Sequence, residues 1–205
     1  GFVRDLGRVP PSAEEVHEVR EAMLDARLAC DALQRFVSNL EVVARDLGKS
    51  QVGEPAPIEL HSIADEVVAR HLVAAEARRV RVVVEGHSAW ANADRDPLLR
   101  AADNALANAL QHAPAGSRVR VELERRPHEV VLSFLDGGLV VPLELRERAL
   151  TREGQSQLKG LAEARYGRGL ALYAGAVAAR RAGGRMELGE RDGHNSIAIV
   201  LPRFE

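Results

Sequence analysis

Apolar side chains in the first quarter of the chain recur at alternating steps of three and four: Val16, Val19, Met23, Ala26, Cys30, Leu33, Val37, Leu40, Ala44 and Leu47. This rhythm is the seam of one long helix. A stripe so narrow needs a partner helix, because alone it stays in water, so a dimeric or hairpin bundle is expected. Ser12 and Glu15, just after Pro10 and Pro11, stand at capping-box spacing and predict where the helix starts. Gly48 supplies its stop. The stretch Lys49 to Pro57 is rich in proline, glycine and polar residues, which divides the chain into a helical region (1–50), a linker (51–57) and a second domain (58–205).

After the linker the period changes. A short strand is predicted at Ile58 to Leu60, a helix at Ser62 to Ala77, and a buried strand around Val80, Val82, Val83 and Val84. Asp96, followed by Pro97, is read as the cap of a helix reaching His112. Val119, Val121 and Leu123 alternate as in a half-buried strand, and Val130 to Leu135 continues as another. A polar stretch from Leu143 to Tyr166 precedes a helix at Leu170 to Arg181, stopped by Gly183 and Gly184. Strands at Met186 to Leu188 and Ile197 to Leu201 close the chain, and Trp90 is assigned to the core. The uneven alternation predicts an α+β fold, a two-layer α/β sandwich with a mixed sheet, preceded by the long helix.

Composition narrows the function classes. With 46% hydrophobic and 28% charged residues, neither disorder nor a membrane protein fits. No apolar run approaches the roughly 20 residues that span a bilayer, and the N-terminus carries no signal-peptide pattern, so a cytoplasmic location is expected. Any membrane attachment would come from a segment upstream of Gly1. A net charge of -2 and 3% aromatic residues argue against nucleic acid as a partner. Cys30 is the single cysteine, which excludes an internal disulfide. No G-x-x-x-x-G-K-S/T loop occurs, and His61, His71, His87, His128 and His194 lack metal-ligand spacing.

Arg100, Asn104, Asn108 and His112 fall four apart and share one stripe of a helix. Asparagines are unfavourable in a helix interior, since their amides compete for backbone bonds. Asp136-Gly137-Gly138 ends a predicted strand, and Gly167-Arg168-Gly169 opens a predicted helix, where backbone N–H groups and the helix dipole suit a phosphate. The ordered series Asn104-Ala-Leu-Ala-Asn108-Ala-Leu-Gln-His112, Asp136-Gly-Gly-Leu-Val-Val-Pro142 and Gly167-Arg-Gly-Leu-Ala-Leu172 resembles the asparagine box and two glycine boxes of sensor histidine kinases. That family shares its ATPase fold with type II topoisomerases, Hsp90 and mismatch-repair ATPases.

The resemblance covers about Pro57 to Pro202 and implies binding of Mg-ATP and ADP. It implies that Asn108 holds magnesium, that Asn104 lies near the γ-phosphate, and that Asp136 accepts a hydrogen bond from the adenine amino group with Gly138 giving the ring access. Gly167 and Gly169 would flank the phosphates under a lid formed by Leu143 to Tyr166. His112 and Leu170, which close the stripe and the second glycine pair, are assigned to the nucleotide with them. Ser196 is matched to a hydroxyl that supports the aspartate. Val140, Ala171 and Gln111 depart from the pattern, standing where two glycines and a lysine are usual. The resemblance further implies a histidine protein kinase of a two-component system, a homodimer through the N-terminal helix, and a response regulator receiver domain as phosphoryl acceptor. The phosphoacceptor histidine is expected upstream of Gly1. His17, in His17-Glu18-Val19-Arg20, is its rival within the chain.

Overall fold

The first element, α1 (Ala13–Leu47), begins where the capping box places it. The Ser12 backbone N–H donates to Glu15 Oε2 at 2.7 Å, and the Glu15 N–H donates to Ser12 Oγ at 3.1 Å. The Ser12 backbone donor, with its hydroxyl, holds the Glu15 carboxyl below the usual carboxylate range. The computed structural model describes residues 12–47, 54–154 and 170–204. The chain divides into two compact units, residues 1–34 and 35–205. The heptad seam is uncovered in both: Val19 and Met23 in the first, and Val37 and Leu40 in the second, are exposed. In the second unit a different face of α1 turns inward, with Asn39 and Val42 buried.

A mixed five-stranded sheet forms the frame of the second unit. Its strands are β2 (Arg81–Gly86), β4 (Arg118–Arg125), β5 (Glu129–Asp136), β6 (Arg185–Arg191) and β7 (His194–Pro202). Their order is β2-β4-β5-β7-β6, with only the β2–β4 pair parallel. A separate antiparallel pair joins β1 (Ala56–Glu59) to β3 (Trp90–Ala93). The helices α2 (Leu60–Ala77), α3 (Arg95–His112) and α5 (Ala171–Arg181) carry the other layer, and a short α4 (Leu143–Ala149) follows β5. This is the expected α+β sandwich.

The two faces of the sheet follow from register. Val121, Phe134 and Ile197 lie side by side on the face that joins the hydrophobic core with α2, α3 and α5. The alternate positions Arg120, Glu122 and Glu124, with Arg185, Glu187 and Arg191, form an ion-pair ladder on the opposite face. Within the core His71 is buried and hydrogen-bonds Asp103 at 2.9 Å, tying α2 to α3. At the end of α5, Gly183 takes φ +93°, the left-handed turn that glycine tolerates. A Cβ on Gly184 would come within 2.2 Å of the Val200 carbonyl oxygen, so only glycine fits there against β7.

Three sequence expectations need correction. Helix α3 starts at Arg95 with Asp94, not Asp96, at its cap position. Pro97 is tolerated inside that first turn because the N–H it lacks would have no intrahelical acceptor. Strand β3 escaped the hydrophobic pattern, since Trp90-Ala-Asn-Ala93 is too short and too weakly apolar to signal one. Trp90, expected in the core, is 50% exposed, because its neighbours Ala89 and Ala91 take the inward positions.

Candidate functional site

Helix α3 presents Arg100, Asn104, Asn108 and His112 on a single stripe, and that stripe is not a solvated face. Asn104 and Asn108 are both buried, at 4% and 7% exposure. The second unit's segment of α1 covers the first half of the stripe: the Arg100 guanidinium donates to Ser38 Oγ. Asn104 Nδ2 donates to Asn39 Oδ1 at 2.9 Å and to the Arg100 carbonyl at 3.1 Å. One turn later, Asn108 Oδ1 is buried without a hydrogen-bond partner. Such an oxygen costs about 1–3 kcal/mol in an empty site. It is also a hard, neutral donor of the kind that magnesium accepts. Among the described residues no group of three or more His, Cys, Asp or Glu could hold a metal ion.

Asp136 ends β5 and is fully buried. Its Oδ1 accepts the Gly138 backbone N–H at 2.8 Å, which turns the chain sharply after the strand. Its Oδ2 accepts Asn195 Nδ2 at 3.1 Å. The second contact is dictated by register, because Asp136 lies directly opposite Asn195 across the β5–β7 ladder. Asn195 Oδ1 is buried without a partner as well. Two unsatisfied amide oxygens thus stand on the helix side of the sheet, one on α3 and one beside Asp136.

Ser196 does not occupy the role assigned to it. It pairs with Leu135 and so points to the opposite face of the sheet from Asp136. Asn195 is the supporting residue that sequence reasoning missed. The predicted strand stopped at Ile197, two residues short of it, although extending the alternation to His194 would have put Asn195 on the face of Ile197 and Ile199.

The remaining residues divide as follows. Leu170 packs partly against the core at the start of α5, where its carbonyl accepts the Ala174 N–H at 2.7 Å. His112 is half-buried at the end of α3. Gly167 and Gly169 lie outside the described residues. Ala171 opens α5 and Gln111 is exposed in the last turn of α3. Between Asp136 and α4, Val141 is buried and its carbonyl accepts Arg146 Nε at 3.0 Å, whereas Leu139 and Leu143 stand exposed. In the first unit His17 is exposed on α1, with Nε2 3.5 Å from Glu21 Oε1.

Helix α5 crosses α3 at Gly175. A Cβ there would lie 2.9 Å from Met186 Cε and 3.3 Å from Asn104 Cβ. The glycine therefore lets α5 approach the stripe that carries Asn104.

The family model described as histidine kinase-, DNA gyrase B- and HSP90-like ATPase matches residues 93–205. The sensor-like histidine kinase SenX3 of Mycobacterium tuberculosis is 25% identical over 193 residues, covering 93% of this chain and 47% of that protein. The chain thus spans about half the length of this curated relative. Among solved structures, full-length ShkA in complex with AMPPNP aligns at a TM-score of 0.64 and 19% identity, over 95% of this chain and 40% of that one. Histidine kinase ThkA in complex with the response regulator protein TrrA aligns at a TM-score of 0.64 and 15% identity, over 86% and 50%. At these identities the structural likeness shows the fold.

Proposed function

The chain belongs to the histidine kinase-, DNA gyrase B- and HSP90-like ATPase family, and from that premise we propose that it is the ATP-binding catalytic region of a sensor histidine kinase. On this reading residues 58–205 bind the nucleotide, residues 51–57 are the linker, and residues 1–50 supply part of a dimerising bundle. The observation that carries the reading is the buried Asp136 carboxylate, held on one oxygen by Gly138 N–H and on the other by Asn195. A carboxylate fixed in this way has a set direction, which suits recognition of an exocyclic amine such as that of adenine.

Magnesium, when bound, would neutralise charge on the nucleotide phosphates, and the unpartnered Asn108 Oδ1 is the oxygen this chain offers to it. The residues themselves do the positioning. Asp136 orients the base, and Asn108 faces the phosphate side one layer away on α3. Asn104 sits a turn earlier, its amide engaged by Asn39. Transfer is a displacement at the γ-phosphorus: a neutral imidazole nitrogen of a bundle histidine forms the new P–N bond while the bond to the ADP oxygen breaks. The expected acceptor is a bundle histidine outside this chain, with His17 on α1 its rival within it. The phosphoryl group would then pass to an aspartate of a receiver domain, a partner class consistent with the ThkA–TrrA complex. Homodimerisation through the uncovered seam of α1 completes the proposal.

The test is transfer from γ-labelled ATP in a protein that contains this chain and its bundle. Label on a histidine, lost in Asn108→Ala, is expected. Loss of label in His17→Gln would place the acceptor in α1. Nucleotide binding with no label on any histidine would instead support a scaffold of the same fold without turnover, the reading that Val140, Ala171 and Gln111 favour.

A further inference from the structure

On the helix side of the sheet, the Asn195 amide uses only one of its two ends. Its Nδ2 donates to Asp136 Oδ2 at 3.1 Å, while its Oδ1 is buried and no donor among the described residues reaches it. We propose that Asn195 is a specificity-determining residue, an assignment that rests on nucleotide binding at Asp136 and Asn108. Its Oδ1 and the Asp136 carboxylate together accept both hydrogens of one amino group, which selects a 6-aminopurine nucleotide.

The orientation of the amide follows from its partner. A carboxylate oxygen only accepts, so the nitrogen end must face Asp136 and the oxygen end must face elsewhere. Strand register then removes the nearest side chains as donors. Asn195 stands between Asp136 on β5 and Glu190 on β6, and both are carboxyl side chains. Arg146, the cation beside them, is directed to Glu190 Oε2 at 3.6 Å and to the Val141 carbonyl. Asn195 itself is fully buried. A buried acceptor without a donor is costly, so a fold that keeps one calls for a partner from outside the chain.

Geometry chooses among bases. The Asp136 carboxylate and the Asn195 amide oxygen sit on two side chains joined by a hydrogen bond, so they are further apart than the two oxygens of a single carboxylate. Such a spread suits two hydrogens that diverge from one amino nitrogen. The parallel N–H groups of a guanine edge match the narrower fork of one carboxylate instead. A 6-oxo group, itself an acceptor, would meet two acceptors and leave both without a hydrogen, which a site of this kind rejects.

The experiment is calorimetric titration of the whole chain with the magnesium complexes of ADP, N6-methyl-ADP, IDP and GDP, on the native protein, Asp136→Ala and Asn195→Thr. On the native protein N6-methylation removes one of the two hydrogens and should weaken binding about tenfold, with IDP and GDP weaker still. Equal affinity for ADP and N6-methyl-ADP, or GDP as tight as ADP, would overturn the proposal without recourse to any variant. The threonine hydroxyl can still donate to Asp136 but supplies no second acceptor where the amide oxygen stood. In Asn195→Thr, ADP should therefore weaken about tenfold while N6-methyl-ADP changes by less than about threefold. A penalty from methyl bulk alone would persist in that variant, whose side chain is of similar size. If ADP does not bind, or binds Asp136→Ala as tightly as the native chain, nucleotide binding at this site fails and the role of Asn195 with it. ADP binding that needs Asp136, with the N6-methyl penalty unchanged in Asn195→Thr, would overturn the role of Asn195 alone.

Discussion

Asp136 and Asn195 form the best-defined polar pair in the candidate site, and their relation follows from one fact of register. Because they face each other across β5 and β7, the amide can donate to Oδ2 while Gly138 donates to Oδ1. Asn195→Ala removes the first of these, a hydrogen bond to a buried charged group, at a cost of about 1.5–3 kcal/mol. A lowered urea midpoint together with weaker nucleotide binding is the expected outcome, whereas Ser196→Ala should leave binding unchanged; calorimetric titration of both variants checks the contrast. Asn39→Ala tests the other end of the stripe. It strands one of the two hydrogens of the buried Asn104 amide, and denaturant melting should show a loss on the order of 1 kcal/mol. The asparagine box and Asp136 were legible in the sequence because their spacing is local. Asn39 was not, because the contact spans 65 residues and lies on a face of α1 that the heptad pattern assigns to solvent.

Elements that repeat a period were read well, and elements held by tertiary contact were not. The capping box fixed the start of α1, and alternation in Val119, Val121 and Leu123 fixed the inward face of β4. By contrast β3 and the first residues of β7 depend on their partner strands rather than on their own pattern. On α1 the seam is the element that still needs a partner, as Met23 at 69% and Leu33 at 64% exposure make plain. If a second helix covers it, Leu33→Glu should shift a dimer to monomer in sedimentation equilibrium while leaving nucleotide affinity intact. Packing of α5 on α3 admits only a small residue at position 175. Gly175→Val would push on Met186 and on Asn104, and overpacking of this kind costs about 1–3 kcal/mol. Thermal melting measures the loss.

For the whole molecule, the outer sheet face makes acid stability a property of the ion-pair ladder. Hydrogen bonds from Arg126 and then Arg191 hold the Glu124 carboxyl below its usual range, and Arg185 does the same for Glu129. A carboxyl whose folded pKa is depressed stabilises the fold above its unfolded value, here 4.5, and loses that contribution as pH falls through the folded one. Unfolding midpoints should therefore be flat from neutral pH to about 5 and drop below 4.5, with a shallower drop in Glu124→Gln. Two layers and a mixed sheet were readable from the sequence. The charged ladder was not, since only strand register brings those side chains together. The central claim is that Asp136 and Asn108 line a nucleotide site, and calorimetric titration with Mg-AMPPNP tests it most directly. Saturable binding that falls at least tenfold in Asp136→Ala, and loses its magnesium dependence in Asn108→Ala, is the predicted result; no binding by the native chain, or equal affinity in all three proteins, would contradict it.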